Sequence, residues 1–95
     1  MQNTTKWVIE LKELFETFKT STPKNRQLML PRIELACAQI QSFGVSSYVS
    51  QCLTRLLESC RKMARQRQPK DYDESTLISR ALGDLDRIIS NLDKP

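Results

Sequence analysis

The side chains of this chain that could do chemistry are hydroxyl and cationic groups, and they recur at helical spacing in its middle third. The hydroxyl groups belong to Ser46, Ser47, Ser50 and Thr54. Cations stand on both sides of them, with Arg32 before and Arg55, Arg61, Lys62 and Arg65 after. Short hydroxyl side chains let a phosphate or ribose edge approach a helix closely, and Lys and Arg supply the positive charge that phosphate contacts require. On this pattern alone an ordinary solvated helix face is the favoured interpretation, and a nucleic-acid backbone as ligand is the first alternative.

The charge distribution indicates whether a single strand or a duplex would fit this surface better. The net charge is +4, and the stretch from Arg55 to Lys70 is strongly basic, with Glu58 as its only acid. No aromatic residue stands in that stretch, which disfavours a platform for stacking single-stranded bases. A duplex contacted through its backbone and 2′-hydroxyl groups fits a smooth face of hydroxyl and Arg side chains better. A basic amphipathic helix on a membrane surface is a further, less favoured alternative.

Catalytic and metal chemistry finds no support in the sequence. There is no histidine, the commonest general base and metal ligand. Asp71, Asp73 and Glu74 are predicted to complement the start of a helix rather than to bind a cation. Asp84 and Asp86 stand two residues apart on a predicted helix and therefore point in different directions. We predict no enzymatic activity, no metal, no cofactor and no small-molecule substrate.

The cysteines indicate a reducing compartment. There are three, without C-x-x-C spacing, and no leader of secretory type precedes them. The longest apolar run is four residues, Leu35 to Ala38, too short to span a bilayer. The sequence therefore predicts a cytoplasmic protein with buried thiols.

The hydrophobic pattern predicts one all-α domain over residues 1–95, with helices at about 4–20, 31–67 and 73–92. The first helix is indicated by Trp7, Val8, Leu11, Leu14, Phe15 and Phe18, and the last by Ile78, Leu82, Leu85, Ile89 and Leu92, reinforced by Leu77, Ala81 and Ile88. The central helix, starting at Pro31, carries an apolar arc that consists of Leu35, Ala38, Val45, Val49, Cys52, Leu53, Leu56, Cys60 and Met63.

Gly44 is the weak point of the central helix, because Gly costs about 1 kcal/mol relative to Ala inside a helix. We favour a continuous helix, roughly 55 Å long, since the apolar arc keeps its phase across Gly44. The alternative is that Gly44 ends one helix and the chain forms a four-helix bundle. A chain of 95 residues is near the lower limit of independent stability, which favours a homo-oligomer.

The order of elements and several residues resemble the small RNA-silencing suppressors of the insect nodaviruses. The motifs are Arg32-x-x-Leu35, Val49-Ser50, Thr54-x-Leu56-Leu57-Glu58 and Thr76-Leu77-x-x-Arg80, and the resemblance covers roughly residues 4 to 92. It implies a viral, host-interacting homodimer whose paired long helices form a four-helix bundle along one side of double-stranded RNA. Contacts would be to phosphates and riboses, without base reading. Long RNA would be hidden from the host's dicing enzyme, and short interfering duplexes from the silencing complex.

The chain departs from this family at two cationic positions. Arg32 matches a basic position, but a functional arginine of the family falls at Gln51, and a lysine falls near Gly44. Arg55, one turn from Gln51, could replace the arginine. The resulting hypothesis is sequence-independent binding of double-stranded RNA, including siRNA. The predicted contact residues are Arg32, Ser47, Ser50, Gln51, Thr54, Arg55, Arg61, Lys62 and Arg65. The alternative is a helical protein-interaction module that docks a partner on its apolar arc.

Overall fold

A computed structural model describes residues 2–92, and in that range the chain is helical, without strands. The helices are α1 (Gln2–Phe18), α2 (Pro23–Ser42), α3 (Ser47–Met63) and α4 (Glu74–Leu92). The predicted all-α class is confirmed. The predicted helices at 4–20 and 73–92 agree closely with α1 and α4. The predicted helix at 31–67 does not exist as one element.

Successive helices pack against each other in chain order around one core. The side chain of Gln27, near the start of α2, donates to the carbonyl of Ala64, just after α3, at 3.0 Å. At the opposite end of the pair, Ser50 donates to Gln41 Oε1 at 3.2 Å. These contacts make α2 and α3 antiparallel. The molecule is elongated, 42 Å in its longest dimension and 22 × 17 Å across.

The prediction of a continuous central helix is wrong, because the chain turns at Gly44. Gly44 has φ +79°, the left-handed region that side chains rarely adopt, and its N–H donates to the carbonyl of Gln41 at 3.1 Å. Ser46 then caps α3, its hydroxyl accepting from the N–H of Val49 at 3.2 Å. A glycine turn followed by a serine cap ends one helix and begins the next. The structure therefore has the alternative given by the sequence, in which Gly44 ends one helix and a second helix follows.

The start predicted at Pro31 is also wrong, since α2 begins one turn after α1 ends. Thr22 caps α2 by accepting from the N–H of Asn25 at 3.3 Å, and Pro23 occupies the first turn. Pro31 therefore lies inside the helix, where it removes one backbone hydrogen bond. Pro31 and Gln27, four residues before it, are both exposed, so water can solvate the carbonyl that loses its partner.

The break changes which side of the central segment is buried. In α3 the apolar arc is confirmed, since Val49, Cys52, Leu53, Leu56, Cys60 and Met63 are all buried. In α2 the buried residues are instead Arg26, Ile33, Ala36, Cys37 and Ile40. Leu35, predicted to be buried, is 51% exposed, and Ala38 is exposed too. The predicted arc treats residues 43–46 as helical. Because they are not, the α2 residues of that arc lie on a different side of their helix from the one predicted.

The buried side of α4 is likewise rotated from the predicted seam. Leu77, Ala81, Asp84, Leu85 and Ile88 are buried, whereas Ile89 is exposed. Leu77, Ala81 and Ile88, which the sequence offers only as additions to the seam, thus lie in the core beside the carboxylate of Asp84. Asp86 is exposed, which confirms that Asp84 and Asp86 point in different directions.

Replacing Gly44 with valine is expected to lower the free energy of unfolding by about 1–2 kcal/mol, because a β-branched residue is strained at positive φ. An added Cβ meets no atom within 4 Å, so the loss would come from the backbone alone. The asparagine variant is the matched control and should lose less, since Asn tolerates the left-handed region. Urea denaturation measures both variants. Equal stability of the valine variant and the wild type would show that this turn is not required.

Candidate nucleic-acid interface

The predicted contact residues of α3 lie on its solvent-facing side. Ser47, Gln51, Thr54 and Lys62 are exposed on the helix, and Arg65 is exposed just beyond its end. Their spacing places them along the side opposite the buried arc. We call these five residues the outer face of α3. The sequence predicts all five as contact residues, and the structure exposes all five.

Two hydroxyl groups near this face are engaged within the protein. Ser50, half-buried, donates to Gln41 at the junction with α2. Thr54 donates to the carbonyl of Ser50 at 3.1 Å, the backbone contact that Thr commonly makes inside a helix. Their oxygens can still accept hydrogen bonds, and Ser47 is exposed at the start of the helix. The face can thus present hydroxyl groups to a ribose or phosphate.

Arg61 is exposed but paired with a carboxylate on α2. Its Nε and Nη2 donate to Glu34 Oε2 at 3.2 and 2.9 Å. Both side chains are about half exposed, so the pair contributes little to stability and can exchange partners. Arg61 therefore offers less free positive charge than the sequence alone predicts.

Arg55 is paired with a buried carboxylate on α4. Its Nε donates to Asp84 Oδ1 at 3.3 Å, and Arg87 Nη1 donates to the same oxygen at 3.1 Å. The Asp84 side chain is 5% exposed, whereas both arginine side chains are about half exposed. The hydrogen bond from Arg55 to Asp84 and the nearby carboxylate charge raise the pKa of Arg55 further above its ordinary value. Asp84 thus fixes two guanidinium groups from different helices.

Lys62 and Arg65 form no ion pair within the described residues. Gln68 donates to the carbonyls of Lys62 and Arg65, both at 2.9 Å, which closes the end of α3 and orders the backbone that carries them. Glu58 is the acid closest in sequence and is also exposed. In the described part of the chain, Lys62 on the last turn of α3 and Arg65 just beyond it are thus cations without a carboxylate at ion-pair distance, although Glu58 lies one turn before Lys62 on the same side.

Arg32 is not brought to the outer face of α3 within one chain. The side of α2 that faces α3 is marked by Gln27, Glu34 and Gln41, which contact α3 or the residues after it. Arg32 is two residues from Glu34, so it lies about 200° around the helix from that side. It is exposed and forms no ion pair in residues 2–92.

Sequence reasoning missed the contribution of α4. Arg80 and Arg87 line a groove between α3 and α4 together with Lys62 and Arg55. Arg80 was noted only as part of the family resemblance, and Asp84 only as a member of an unproductive carboxylate pair. The sequence did contain a sign of this groove. Residues three and four positions apart share one side of a helix, and Arg80, Asp84 and Arg87 have this spacing.

Carboxylates and thiols elsewhere have structural roles. Asp73 caps α4 by accepting from the N–H of Thr76 at 3.2 Å, as predicted for this acidic stretch. The cysteines are free and buried, as predicted, and burial raises the pKa of Cys37 and Cys60 to about 12, so both are neutral thiols near pH 7. Residues 2–92 contain no group of three His, Cys, Asp or Glu that could hold a metal ion. In the same range no helix has the length and apolar character to cross a bilayer.

Comparison with known proteins identifies no relative of this chain. Neither a protein-family description, nor a curated protein, nor a solved structure matches this chain. The resemblance to nodavirus suppressors therefore rests on the residue motifs alone.

Proposed function

We propose that this protein binds double-stranded RNA without reading its sequence and acts as a viral suppressor of RNA silencing in the host cytoplasm. The observation that carries the proposal is the outer face of α3. It presents Ser47, Gln51 and Thr54 to solvent beside Lys62 and Arg65, which have no carboxylate partner among the described residues. Hydroxyl, amide and cationic groups in one row are the groups that contact riboses and phosphates.

The break at Gly44 changes how such a face would meet a duplex. A helix of 17 residues is about 25 Å long, under half of the rod expected from the sequence. One chain therefore covers a shorter stretch of RNA than the sequence predicted, and α4 adds width through Arg80 and Arg87. Shielding of long RNA would come from many copies bound side by side.

The proposed assembly is a homodimer, and α2 carries a surface suited to it. Leu28 is 71% exposed and Leu35 is 51% exposed, and with Pro31 and Ala38 they follow one side of the helix. We call these four residues the α2 stripe. Arg32 lies at its edge. A second copy docked on this stripe would bury apolar surface and bring Arg32 next to the partner.

A binding measurement tests the function directly. Fluorescence anisotropy should detect binding of a blunt duplex RNA of about 25 base pairs in any sequence, with weaker binding of the matching DNA duplex and of single-stranded RNA. Affinity should fall with salt, since phosphate contacts release counterions. Absence of binding to any duplex RNA at low salt would refute the function.

The α2 stripe also favours a second candidate, a helical protein-interaction module without nucleic-acid binding. In this candidate the stripe, rather than the α3 arc that is buried in the core, would dock the partner. It predicts no affinity for RNA, DNA or single strands, so the anisotropy measurement separates the two functions.

Replacing Leu28 and Leu35 with glutamate is expected to convert the proposed dimer to a monomer, because charge would then stand at the centre of the apolar contact. Light scattering at micromolar concentration measures the mass. The Ile9→Glu variant is the control, since Ile9 on α1 is an apolar residue as exposed as Leu35, and it should leave the mass unchanged. A wild-type protein that is monomeric at all concentrations would contradict the dimer but not the RNA-binding surface.

A further inference from the structure

The groove between α3 and α4 has a buried carboxylate at its base. Asp84 holds the guanidinium groups of Arg55 and Arg87 on one oxygen, and both arginines remain about half exposed. A guanidinium has five N–H donors, of which Asp84 uses one from each arginine. Arg55 gives another donor to Cys52 Sγ at 3.3 Å. The remaining donors are free to contact a ligand from positions that the carboxylate fixes.

The groove carries an excess of positive charge. Its lining includes four cations, Arg55, Lys62, Arg80 and Arg87, against the two carboxylates of Glu58 and Asp84. Lys62 and Arg80 have no ion-pair partner in the described part of the chain, and both also line the adjoining hollow toward the loop after α3. Two positive charges are therefore uncompensated in a concave site between helices.

Gly83 keeps the groove open on the α4 side. A Cβ at this position would lie 3.3 Å from Arg87 Nη1, closer than most real contacts. The absence of a side chain lets the Arg87 guanidinium lie against the helix while it bonds Asp84. Gly83 is an unfavourable residue inside a helix, so this close approach is a physical reason for its presence.

We propose that this groove is a phosphate-binding site, which seats one phosphate group of the bound RNA. The inference rests on the proposed function for the identity of the ligand and goes beyond it in naming the α4 residues. Fixed guanidinium donors suit the oxygens of a phosphate, and Lys62 joins the groove to the outer face of α3. The phosphate is either a backbone phosphodiester or the terminal 5′-phosphate of a short duplex.

Replacing Arg80 and Arg87 with glutamine tests the site in the full-length protein. Neutralising one phosphate contact should reduce affinity for duplex RNA about tenfold at 0.1 M salt and reduce the salt slope by about 1. The charge-matched control changes Lys12 and Lys24 to glutamine, which are exposed on α1 and α2 outside the groove. It should leave affinity within about twofold and the slope unchanged. Circular dichroism verifies that both variants are folded.

Two forms of the duplex identify the source of the phosphate. If 5′-phosphorylated ends bind the wild type more tightly than 5′-hydroxyl ends, and the Arg80→Gln, Arg87→Gln variant loses that preference, the groove seats the terminal phosphate. If the ends make no difference and the variant is weakened with both, it seats a backbone phosphate. Unchanged affinity of the variant for both forms would overturn the site.

A probe without RNA separates failure of the site from failure of the function. Inorganic phosphate, titrated against chloride at constant ionic strength, should shift the amide resonances of Gly83 and Arg80 saturably in a two-dimensional NMR spectrum. Those shifts without any duplex binding would refute the proposed function and keep the groove as a phosphate site. Duplex binding with no phosphate shift, and with full affinity in the variant, would refute the groove and keep the function.

Discussion

Replacing Arg26 with methionine is expected to lower the free energy of unfolding by about 3–5 kcal/mol, enough to leave a small domain mostly unfolded near 37 °C. Arg26 is 3% exposed and ties together the ends of all four helices. Its Nε donates to the carbonyl of Phe18 at 3.0 Å and its Nη2 to that of Lys19 at 2.8 Å. Its Nη1 donates to the carbonyl of Met63 at 3.1 Å and to Glu74 Oε1 at 2.6 Å.

The size of the effect follows from what the substitution leaves behind. Methionine keeps about the same volume and the apolar packing but removes the donor to the carbonyls of Lys19 and Met63. The carbonyl of Phe18, by contrast, still accepts from the N–H of Ser21 at 3.1 Å. A buried polar group without a partner costs about 1–3 kcal/mol. Urea denaturation followed by circular dichroism measures the loss. Arg32→Gln is the matched control on the same helix, exposed and unpaired in residues 2–92, and should change stability by less than about 0.5 kcal/mol.

The lysine variant at position 26 tests the geometry apart from the charge. An ammonium group is compact and cannot donate from the fixed fork of a guanidinium to carbonyls on two helices and to Glu74. We expect stability between those of the wild type and the methionine variant. Wild-type stability in either variant would show that Arg26 does not hold the helix ends together.

The same contact makes stability depend on pH. The hydrogen bond from Arg26, above all, lowers the pKa of Glu74 below its ordinary value of 4.5. The stability that Glu74 adds is therefore present above pH 4.5 and is lost as the pH falls through the lowered pKa. Because Glu74 is about half exposed, the amount should be under about 1 kcal/mol. The Glu74→Gln variant should lose less stability than the wild type between pH 5 and pH 3, roughly the span of carboxyl titration.

The parts of the fold that depend on local pattern were predictable. In α1, Val8, Leu11, Phe15 and Phe18 are buried at the expected spacing, and the Thr22-Pro23 pair separates α1 from α2 as expected for a residue before proline. The start of α4 was predictable for the same kind of reason, because carboxylates gather where a helix has its positive end.

The turn at Gly44 could not be decided from the same pattern. Counting through residues 43–46 as helical joined Leu35 and Ala38 to the true apolar arc of α3, although they lie on another side of α2. Residues 43–46 are about as many as one turn of a helix contains. A continuous helix and a helix broken at Gly44 therefore both keep a plausible hydrophobic period across this segment. What decides between them includes the Ser46 cap, a contact worth about 1 kcal/mol that hydrophobic spacing does not report.

The buried charges could not be predicted because their partners are distant in sequence. Arg and Asp are usually exposed, so nothing in the sequence singles out Arg26, and Asp84 draws attention only as half of a carboxylate pair with Asp86. Arg26 bonds residues up to 48 positions away, and Asp84 bonds Arg55 across 29 positions. Only the packing of the helices brings these groups together. The exposed side of α3 was predictable because it depends on spacing within one helix, whereas the groove between α3 and α4 was not, because it depends on how two helices pack.

Reversing the charge of Lys62 and Arg65 to glutamate is expected to weaken binding of duplex RNA by at least about 100-fold at 0.1 M salt. Each phosphate contact has a slope of roughly 0.9 in log K against log salt, so its counterion release contributes a factor of about eight at 0.1 M. Losing two contacts therefore accounts for about 60-fold, and repulsion between glutamate and phosphate adds to it. The salt slope should fall by about two in anisotropy titrations.

The control must separate loss of contact from loss of structure, because acids near the end of α3 oppose its helix dipole at about 0.3–1 kcal/mol each. The Lys62→Gln, Arg65→Gln variant removes the charges with less of this cost and should still weaken binding about 60-fold. Reversing Lys12 and Lys24 to glutamate changes the net charge by the same four units on other helices. If that variant is weakened as much as the α3 variant, binding follows overall charge, and the outer face of α3 is not the contact surface.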